Sequence, residues 1–496
     1  VIDAVLGFDV GTTAVKAGLI SLDDNQPLGM ARRAYPTLRR EQGWVEQDPA
    51  SWIAAMAACW DQLRRECSQI RLRAVGVCSQ VNTHLLVGAD LSPVRAAIVW
   101  QDVRAAGEAA ELDARVSDAQ RIAFWRGPFT IDASFALSRL EWIRRHEPTA
   151  AAAGRWLLAP KDYCVAALCG AVVTDTMSPI GLVGADSRYI SGVTDLVDGS
   201  AALLPPILPF DELAGYVRPG NPVGLPAGVP VAVGSMDAWG NVYGSGVVSP
   251  GQAMEVAGTS EIVGVVSDRA VATPGVISFL PVRGIHLHAG PTQAGGDALQ
   301  WAARCFGIAV EDVLSLAAEA RASAQAIVFL PHLSGERAPI WNPDARGVFL
   351  GVSASTELKH LALAVLEGVA FSARQLMEAC ESASGNRVGE VRLSGGGAQS
   401  DLWNRIKAST QGRSLKVLRI LDSGVVGAAL MGAVAAGLEP DLEDAATRRV
   451  AIASEVEPER DQSSRLDHLY GVYRESYQSL VGVFGKLQSR SDGPSG

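Results

Sequence analysis

Leu6-Gly7-Phe8-Asp9-Val10-Gly11-Thr12-Thr13, running on into Val15-Lys16-Ala17-Gly18-Leu19-Ile20, decides the fold of this 496-residue chain. Val5 to Phe8 is an apolar run of strand length. Asp9 to Thr13 is a turn rich in Gly and Thr, and Val15, Ala17 and Leu19 then alternate with Lys16, Gly18 and Ile20. The pattern predicts a β-hairpin with Asp, Gly and Thr at its tip. The same order returns later. Met254-Glu255-Val256-Ala257 leads into Gly258-Thr259-Ser260 and then Ile262-Val263-Gly264-Val265-Val266. This echo predicts a duplicated architecture, divided as residues 1–247 and 248–496.

Outward from the first hairpin, Pro49 to Glu66 is helical, with Trp52, Met56 and Trp60 near one face. Ala74 to Val77 reads as a strand, and helices are expected at Ala105–Val116 and Ala136–His146. Seven prolines between Pro205 and Pro230 mark loop. Val229 to Val233 follows as a strand that ends in Gly234-Ser235-Met236-Asp237. In the second half Leu358, Leu361, Val365 and Val369 keep helical spacing, with Ser355 or Thr356 as the expected N-cap. Val391 to Leu393 is a short strand, Ser394 to Ala398 a glycine turn, and Ser400 the cap of a helix ending at Gly412. Alternating strands and helices imply an α/β fold with parallel strands.

Composition narrows the function classes. Hydrophobic residues are 48%, charged residues 19%, and the formal charge is −10. The acidity argues against broad nucleic-acid binding. Seven cysteines, an odd number without a CxxC pair, read as reduced thiols and a cytoplasmic setting. Val425 to Leu438 is uncharged but short of a membrane span, so a buried helix is expected and no membrane partner. The polar tail Ser489–Gly496 is expected to fray.

Several segments carry chemistry. Gly11, Thr12 and Thr13 offer amides and hydroxyls to a phosphate, Lys16 a neutralising charge, and Asp9 a carboxylate for Mg²⁺. An ordinary polar hairpin has the same residues. Gly258-Thr259-Ser260 has the same chemistry and the same plain alternative. Gly395-Gly396-Gly397-Ala398 lets a nucleotide lie on bare backbone, although a tight strand-to-helix turn also needs Gly; it is neither a Walker P-loop nor a dinucleotide fingerprint. Asp237, at the end of a strand, can accept a hydroxyl proton or merely cap a helix. Trp100-Gln101-Asp102-Val103-Arg104 fits either a sugar site or a local ion pair. His286 and His288 lack a third metal ligand and read as exposed strand residues.

Taken together, these segments resemble the FGGY family of carbohydrate kinases over nearly the whole chain. Further marks are Gly43-Trp44-Val45-Glu46-Gln47-Asp48-Pro49, Pro160-Lys161-Asp162-Tyr163, Leu333-Ser334-Gly335-Glu336-Arg337-Ala338-Pro339, Asp344 to Gly351, and His360 to Gly368. Among its members the xylulose kinases are most similar. The resemblance implies two ribonuclease-H-like, actin-like ATPase domains with an interdomain cleft. The N-terminal one would hold the sugar and the catalytic base, the C-terminal one the nucleotide. It implies ATP and Mg²⁺, with Asp9 linked to the metal, Gly11, Thr12, Thr13, Lys16, Gly258 and Thr259 at the phosphates, and Asp237 as base. Gly296, Gln300, Gly397 and Asp401 match nucleotide-side positions.

Two departures fall on sugar-contacting positions. Gln80-Val81-Asn82-Thr83 stands where xylulose kinases usually show Gln-Met-His-Gly, and Asp237-Ala238 where they show Asp-Asn. Arg139 stands where a Lys is usual. The reaction that the resemblance implies is ATP-dependent phosphorylation of a sugar, D-xylulose to D-xylulose 5-phosphate first, with Gln80, Val81, Asn82, Trp100, Asp102 and Asp237 at the substrate. Ribulose, a pentitol, erythritol or a non-catalytic sugar-binding role stay open, as does a homodimer.

Overall fold

A computed structural model describes residues 1–40, 43–127 and 129–488; the tail Ser489–Gly496 lies outside the described residues. The chain divides into two compact units. One joins Val1–Gly246 to Asp422–Val450, and the other joins Val247–Leu421 to the segment from Ala451 onward.

The first unit is built on the predicted hairpin. Strands Ile2–Val10 and Ala14–Ser21 pair antiparallel, with Asp9 opposite Lys16, and Pro27–Ala34 extends the sheet beyond them. On its other side Ile2–Val10 pairs in parallel with Ile70–Ser79, Asp9 facing Cys78. Ile70–Ser79 in turn takes Pro230–Ala232 and Ser235–Met236 in parallel, Met236 facing Ser79. Parallel pairing aligns chain directions, so Asp9, Gln80 and Asp237 all emerge at the carboxyl ends of adjacent strands. Ligands of open α/β sheets sit at such ends. Helix Pro49–Glu66 forms as its spacing predicts, capped by Asp48, and Trp52, Met56 and Trp60 are all buried against the sheet.

The second unit repeats this order. Ala253–Ala257 and Glu261–Ser267 form the antiparallel hairpin, and His286–Pro291 extends it. Glu390–Ser394 pairs in parallel with Ala253–Ala257, and Ser414–Leu418 continues in parallel. In both units the sheet thus reads third, second, first, fourth, fifth strand, the first three antiparallel and the last two parallel. The duplication expected from one short sequence echo extends to whole-sheet topology. Helix Leu358–Ser384 packs on this sheet with Glu357, not Ser355 or Thr356, at its N-cap, because those two hydroxyls close the preceding turn.

One segment departs from the linear division at residue 247. Residues 422–450 fold with the first unit. Their helix, Ser423–Ala435, is Gly- and Ala-rich and buried on nearly all sides, as its lack of a polar face predicts. It sits directly on bare backbone: a Cβ on Gly76 would lie 1.8 Å from the Ala428 carbonyl oxygen, and one on Gly427 would lie 1.9 Å from that of Gly240. Only glycine permits this approach. Among the described residues no helix is long and apolar enough to cross a membrane. All seven cysteines are free.

Gly76→Ala should therefore destabilise the first unit by about 1–3 kcal/mol, the usual cost of overpacking. Thermal unfolding checks this through a Tm lowered by several degrees; an unchanged Tm would mean that the helix is not seated on this strand.

Candidate active site

The tip of the first hairpin is tied down from beneath. Tyr35 Oη donates to the Gly11 carbonyl. The Thr12 carbonyl accepts from Gln47 Nε2 at 2.6 Å and from Thr37 Oγ1 at 3.2 Å. Gln47 is fully buried, and its Oε1 accepts from Gln80 Nε2 at 2.8 Å and from Trp52 Nε1 at 3.1 Å. One side chain thus joins the phosphate-type turn to the strand end carrying Gln80, while Thr13 is left exposed. The sequence motif around Gln47 does not disclose this role, because a polar residue's partner 35 positions away leaves no local pattern.

Asp9 and Asp237 are two carboxyls of this region that burial raises. Asp9 Oδ1 is buried without a hydrogen-bond partner. Burial pushes the Asp9 carboxyl up to about 6; Lys16 opposes the shift and Asp422 adds to it. An unpartnered buried carboxylate oxygen suits a divalent cation, so Asp9 fits the expected Mg²⁺ contact. Lys16 is engaged by Asp422 at 2.7 Å, at the start of the glycine-rich helix, and is about one third exposed. Asp237 opens helix Asp237–Gly244, with Met236 rather than the aspartate at its N-cap. Burial pushes its carboxyl up to about 7, the charge of Asp9 adds, and nearby backbone N–H groups pull the other way. A carboxyl poised near neutrality at a strand end is suited to proton transfer. One turn on, Asn241 Oδ1 accepts from Ser423 Oγ at 2.7 Å.

The expected sugar contacts divide. Gln80 is buried beside Asp237, since each follows one member of the Met236–Ser79 pair. Val81 and Asn82 are half-buried. Asn82 takes a left-handed backbone (φ 52°), donates to Ser134 Oγ at 3.2 Å, and its carbonyl accepts from the buried Arg139. Trp100 Nε1 donates to Thr12 Oγ1 at 3.0 Å, which turns it to the phosphate-type turn. Asp102 departs from the expectation. Its carboxylate is fully buried and saturated by the Val45 amide, the Arg104 amide and the Arg104 guanidinium, the last at 2.7 Å. Arg104 stacks over Trp44 at 4.2 Å and pairs with Glu46. The local ion pair, not a sugar contact, is what this segment builds.

The second unit assembles its own glycine cradle. The Gly258–Ser260 turn closes through the Gly258 amide and the Ser260 carbonyl at 3.0 Å. Gly296 and Asp297 amides donate to the carbonyls of Gly258 and Thr259 at 2.9 and 3.1 Å. Gly395, with φ 85°, lies so close to Ala257 that a Cβ would stand 2.4 Å from its carbonyl oxygen, and one on Gly397 would stand 2.9 Å from the Ala257 Cβ. Gly258, Thr259, Gly296 and Gly397 therefore meet around one hairpin. Gln300 is exposed one helical turn beyond Gly296, and Asp401 is exposed at the start of the helix capped by Ser400. His288 is fully buried between the hydroxyls of Ser267 and Ser278, each at 2.8 Å, and not strand-exposed as expected.

The N-terminal domain of the FGGY family of carbohydrate kinases matches residues 4–244, and its C-terminal domain matches residues 253–436. The chain is 33% identical over 450 residues to a xylulose kinase of Escherichia coli, covering 88% of this chain and 91% of that one. It is 28% identical over 471 residues to a glycerol kinase of Leptothrix cholodnii, covering 89% and 92%. The crystal structure of a xylulose kinase from Rhodospirillum rubrum matches with a TM-score of 0.83 at 27% identity, covering 97% of this chain and all of that one. The architecture is thus the two-domain actin-like ATPase fold.

Because the charge of Asp9 helps hold the Asp237 carboxyl up, Asp9→Asn should lower the Asp237 midpoint from about 7. Carboxyl-carbon NMR titration of the two proteins reads this directly. An unmoved or raised midpoint would show that the two groups do not interact.

Proposed function

The chain belongs to the FGGY family of carbohydrate kinases, and we propose that it transfers the terminal phosphate of ATP to a hydroxyl of D-xylulose, giving D-xylulose 5-phosphate. The observation that carries the chemistry is Asp237: a carboxyl lifted to about 7, at a strand end beside Gln80 and within the field of Asp9. In its ionised form it accepts a hydrogen bond from the sugar hydroxyl, orients that oxygen toward phosphorus and takes the proton as the new P–O bond forms. Positioning and charge stabilisation do most of the work in such a transfer. Thr12, Thr13, Lys16 and Thr259 are phosphate contacts in this reading. Gly296, Gln300, Gly397 and Asp401 take the nucleotide. Asp9 would hold the Mg²⁺ of the nucleotide, and that ion would offset phosphate charge.

Support for a pentulose comes from the similarity to xylulose kinases. Another acceptor, a different ketose or a polyol, is the second reading, and specific residues favour it. Asn82 donates and accepts but does not titrate near neutral pH, and Ala238 offers no side-chain hydrogen bond. A missing partner for one substrate hydroxyl changes discrimination strongly.

Asp237→Asn keeps the shape and removes the base. The expected result is a kcat lower by about 10²–10⁴-fold with little change in Tm. Near-normal sugar-dependent turnover would contradict the assignment. The pH profile gives a second check. The base works ionised, so kcat/KM should rise with pH through about 7 and then level off. A profile that falls over the same range contradicts this role.

A further inference from the structure

The segment Ser334-Gly335-Glu336-Arg337-Ala338-Pro339 has no role in the chemistry above, yet it holds one of the densest polar clusters of the second unit. Glu336 is buried, its side chain wholly so. Its Oε1 accepts from the Gln293 amide at 2.5 Å and from the Arg337 amide at 2.9 Å. Its Oε2 accepts from His332 Nδ1 at 2.7 Å and from Ser372 Oγ at 3.4 Å. The two neighbours act on the same stretch. Arg337 Nη2 donates to the Thr292 carbonyl at 2.5 Å, and the Ala338 amide donates to the Pro291 carbonyl at 3.1 Å.

Three consecutive residues, 336 to 338, therefore grip three consecutive residues, 291 to 293. The gripped stretch leads into the cradle. Thr292 is bonded to Glu261 through both its backbone amide (2.8 Å) and its hydroxyl, which accepts from the Glu261 amide at 3.1 Å. Asp297 Oδ1 accepts from the Gly295 amide at 2.9 Å, and the amides of Gly296 and Asp297 close on Gly258 and Thr259. The glycines at 295 and 296 have no side chains with which to hold this geometry. A Cβ at either would stand within 3 Å of the Gly258–Ser260 turn. Backbone bonds alone hold the pair against that turn, so the path of residues 291–293 that leads into it matters to its position.

We infer that Glu336 and Arg337 are positioning residues for nucleotide binding: they clamp residues 292 and 293 and so help fix the Gly295–Gly296 backbone against the Gly258–Ser260 turn. They touch no ligand in this account and act only through the loop. The inference rests on the reading of that cradle as the nucleotide side. A carboxylate suits the task because each of its oxygens accepts twice, and a buried acceptor removed leaves its donors unsatisfied.

The test uses the full chain with Glu336→Met, which keeps bulk and removes both acceptors, and Arg337→Met, a partly exposed position where refolding is less at risk. Hydrogen exchange of the peptide spanning residues 291–297 and the Kd for ATP and ADP are measured on folded protein, with D-xylulose affinity measured alongside. Exchange in that peptide should rise about tenfold or more, the scale of one lost buried hydrogen bond. Nucleotide Kd should rise with it, while D-xylulose Kd stays within about twofold. A purely structural role would lower Tm and leave nucleotide Kd unchanged, which overturns the proposal. So does unchanged exchange in a folded Arg337→Met protein, even where Glu336→Met fails to fold. If wild-type protein binds no ATP, the nucleotide reading fails instead, and the exchange result still decides whether the clamp exists.

Discussion

Parallel pairing of the strands Ile2–Val10, Ile70–Ser79 and Ser235–Met236 is the constraint on which the rest depends. It sends Asp9, Gln80 and Asp237, from positions up to 228 residues apart, to one edge of one sheet. Shifting any of these strands by one residue would turn its functional side chain to the opposite face. Register is protected from behind. The helix Ser423–Ala435 rests on glycines of the sheet and of helix Asp237–Gly244, where no side chain separates the backbones. Such a contact has one geometry, because any slide brings a Cβ into a carbonyl.

Each unit also buries a lysine between two carboxylates. Lys161 lies between Asp162 (2.6 Å) and Asp175 (3.1 Å), and Ser235 Oγ donates to Asp175 at 2.8 Å. The Ser79 hydroxyl accepts from the Lys161 amide at 3.1 Å. In the second unit Lys407 lies between Glu255 (2.6 Å) and Glu261 (2.8 Å), on the two strands of the hairpin that carries Gly258–Ser260. Buried ion pairs contribute little net stability, but losing one partner leaves an uncompensated charge at about 3–5 kcal/mol. Through these bonds Lys161 and Asp175 reach Ser79, one residue before Gln80, and Ser235, two before Asp237, while Lys407 joins the two strands flanking Thr259.

What the sequence discloses is what is local. The two hairpins, helix Pro49–Glu66 and the cap at Ser400 follow from strand alternation, helical spacing and capping chemistry over a few residues. Asp237 is legible because it ends an apolar strand. The return of residues 422–450 to the first unit is not legible: a helix of Gly, Ala and Val has no polar face to orient it, so its partner is chosen by backbone shape alone. Asp102 misleads for a related reason. A charged pair beside a tryptophan looks the same in sequence whether it faces a ligand or a core, and here Trp44 and Trp142 close over Arg104. Gln47 and Glu336 sit within recognisable motifs, but their hydrogen bonds run to partners distant in sequence, which leaves no periodic trace.

Sugar-dependent transfer of phosphate is the central claim. The most direct measurement is ADP formation by the full chain with ATP and Mg²⁺ across D-xylulose, D-ribulose, pentitols, erythritol and glycerol, with the phosphorylated carbon read from phosphorus–carbon coupling in the NMR spectrum of the product. The account predicts ADP release that requires the acceptor, is fastest with D-xylulose, and yields the 5-phosphate. ATP and sugar binding with no acceptor-stimulated ADP would contradict it.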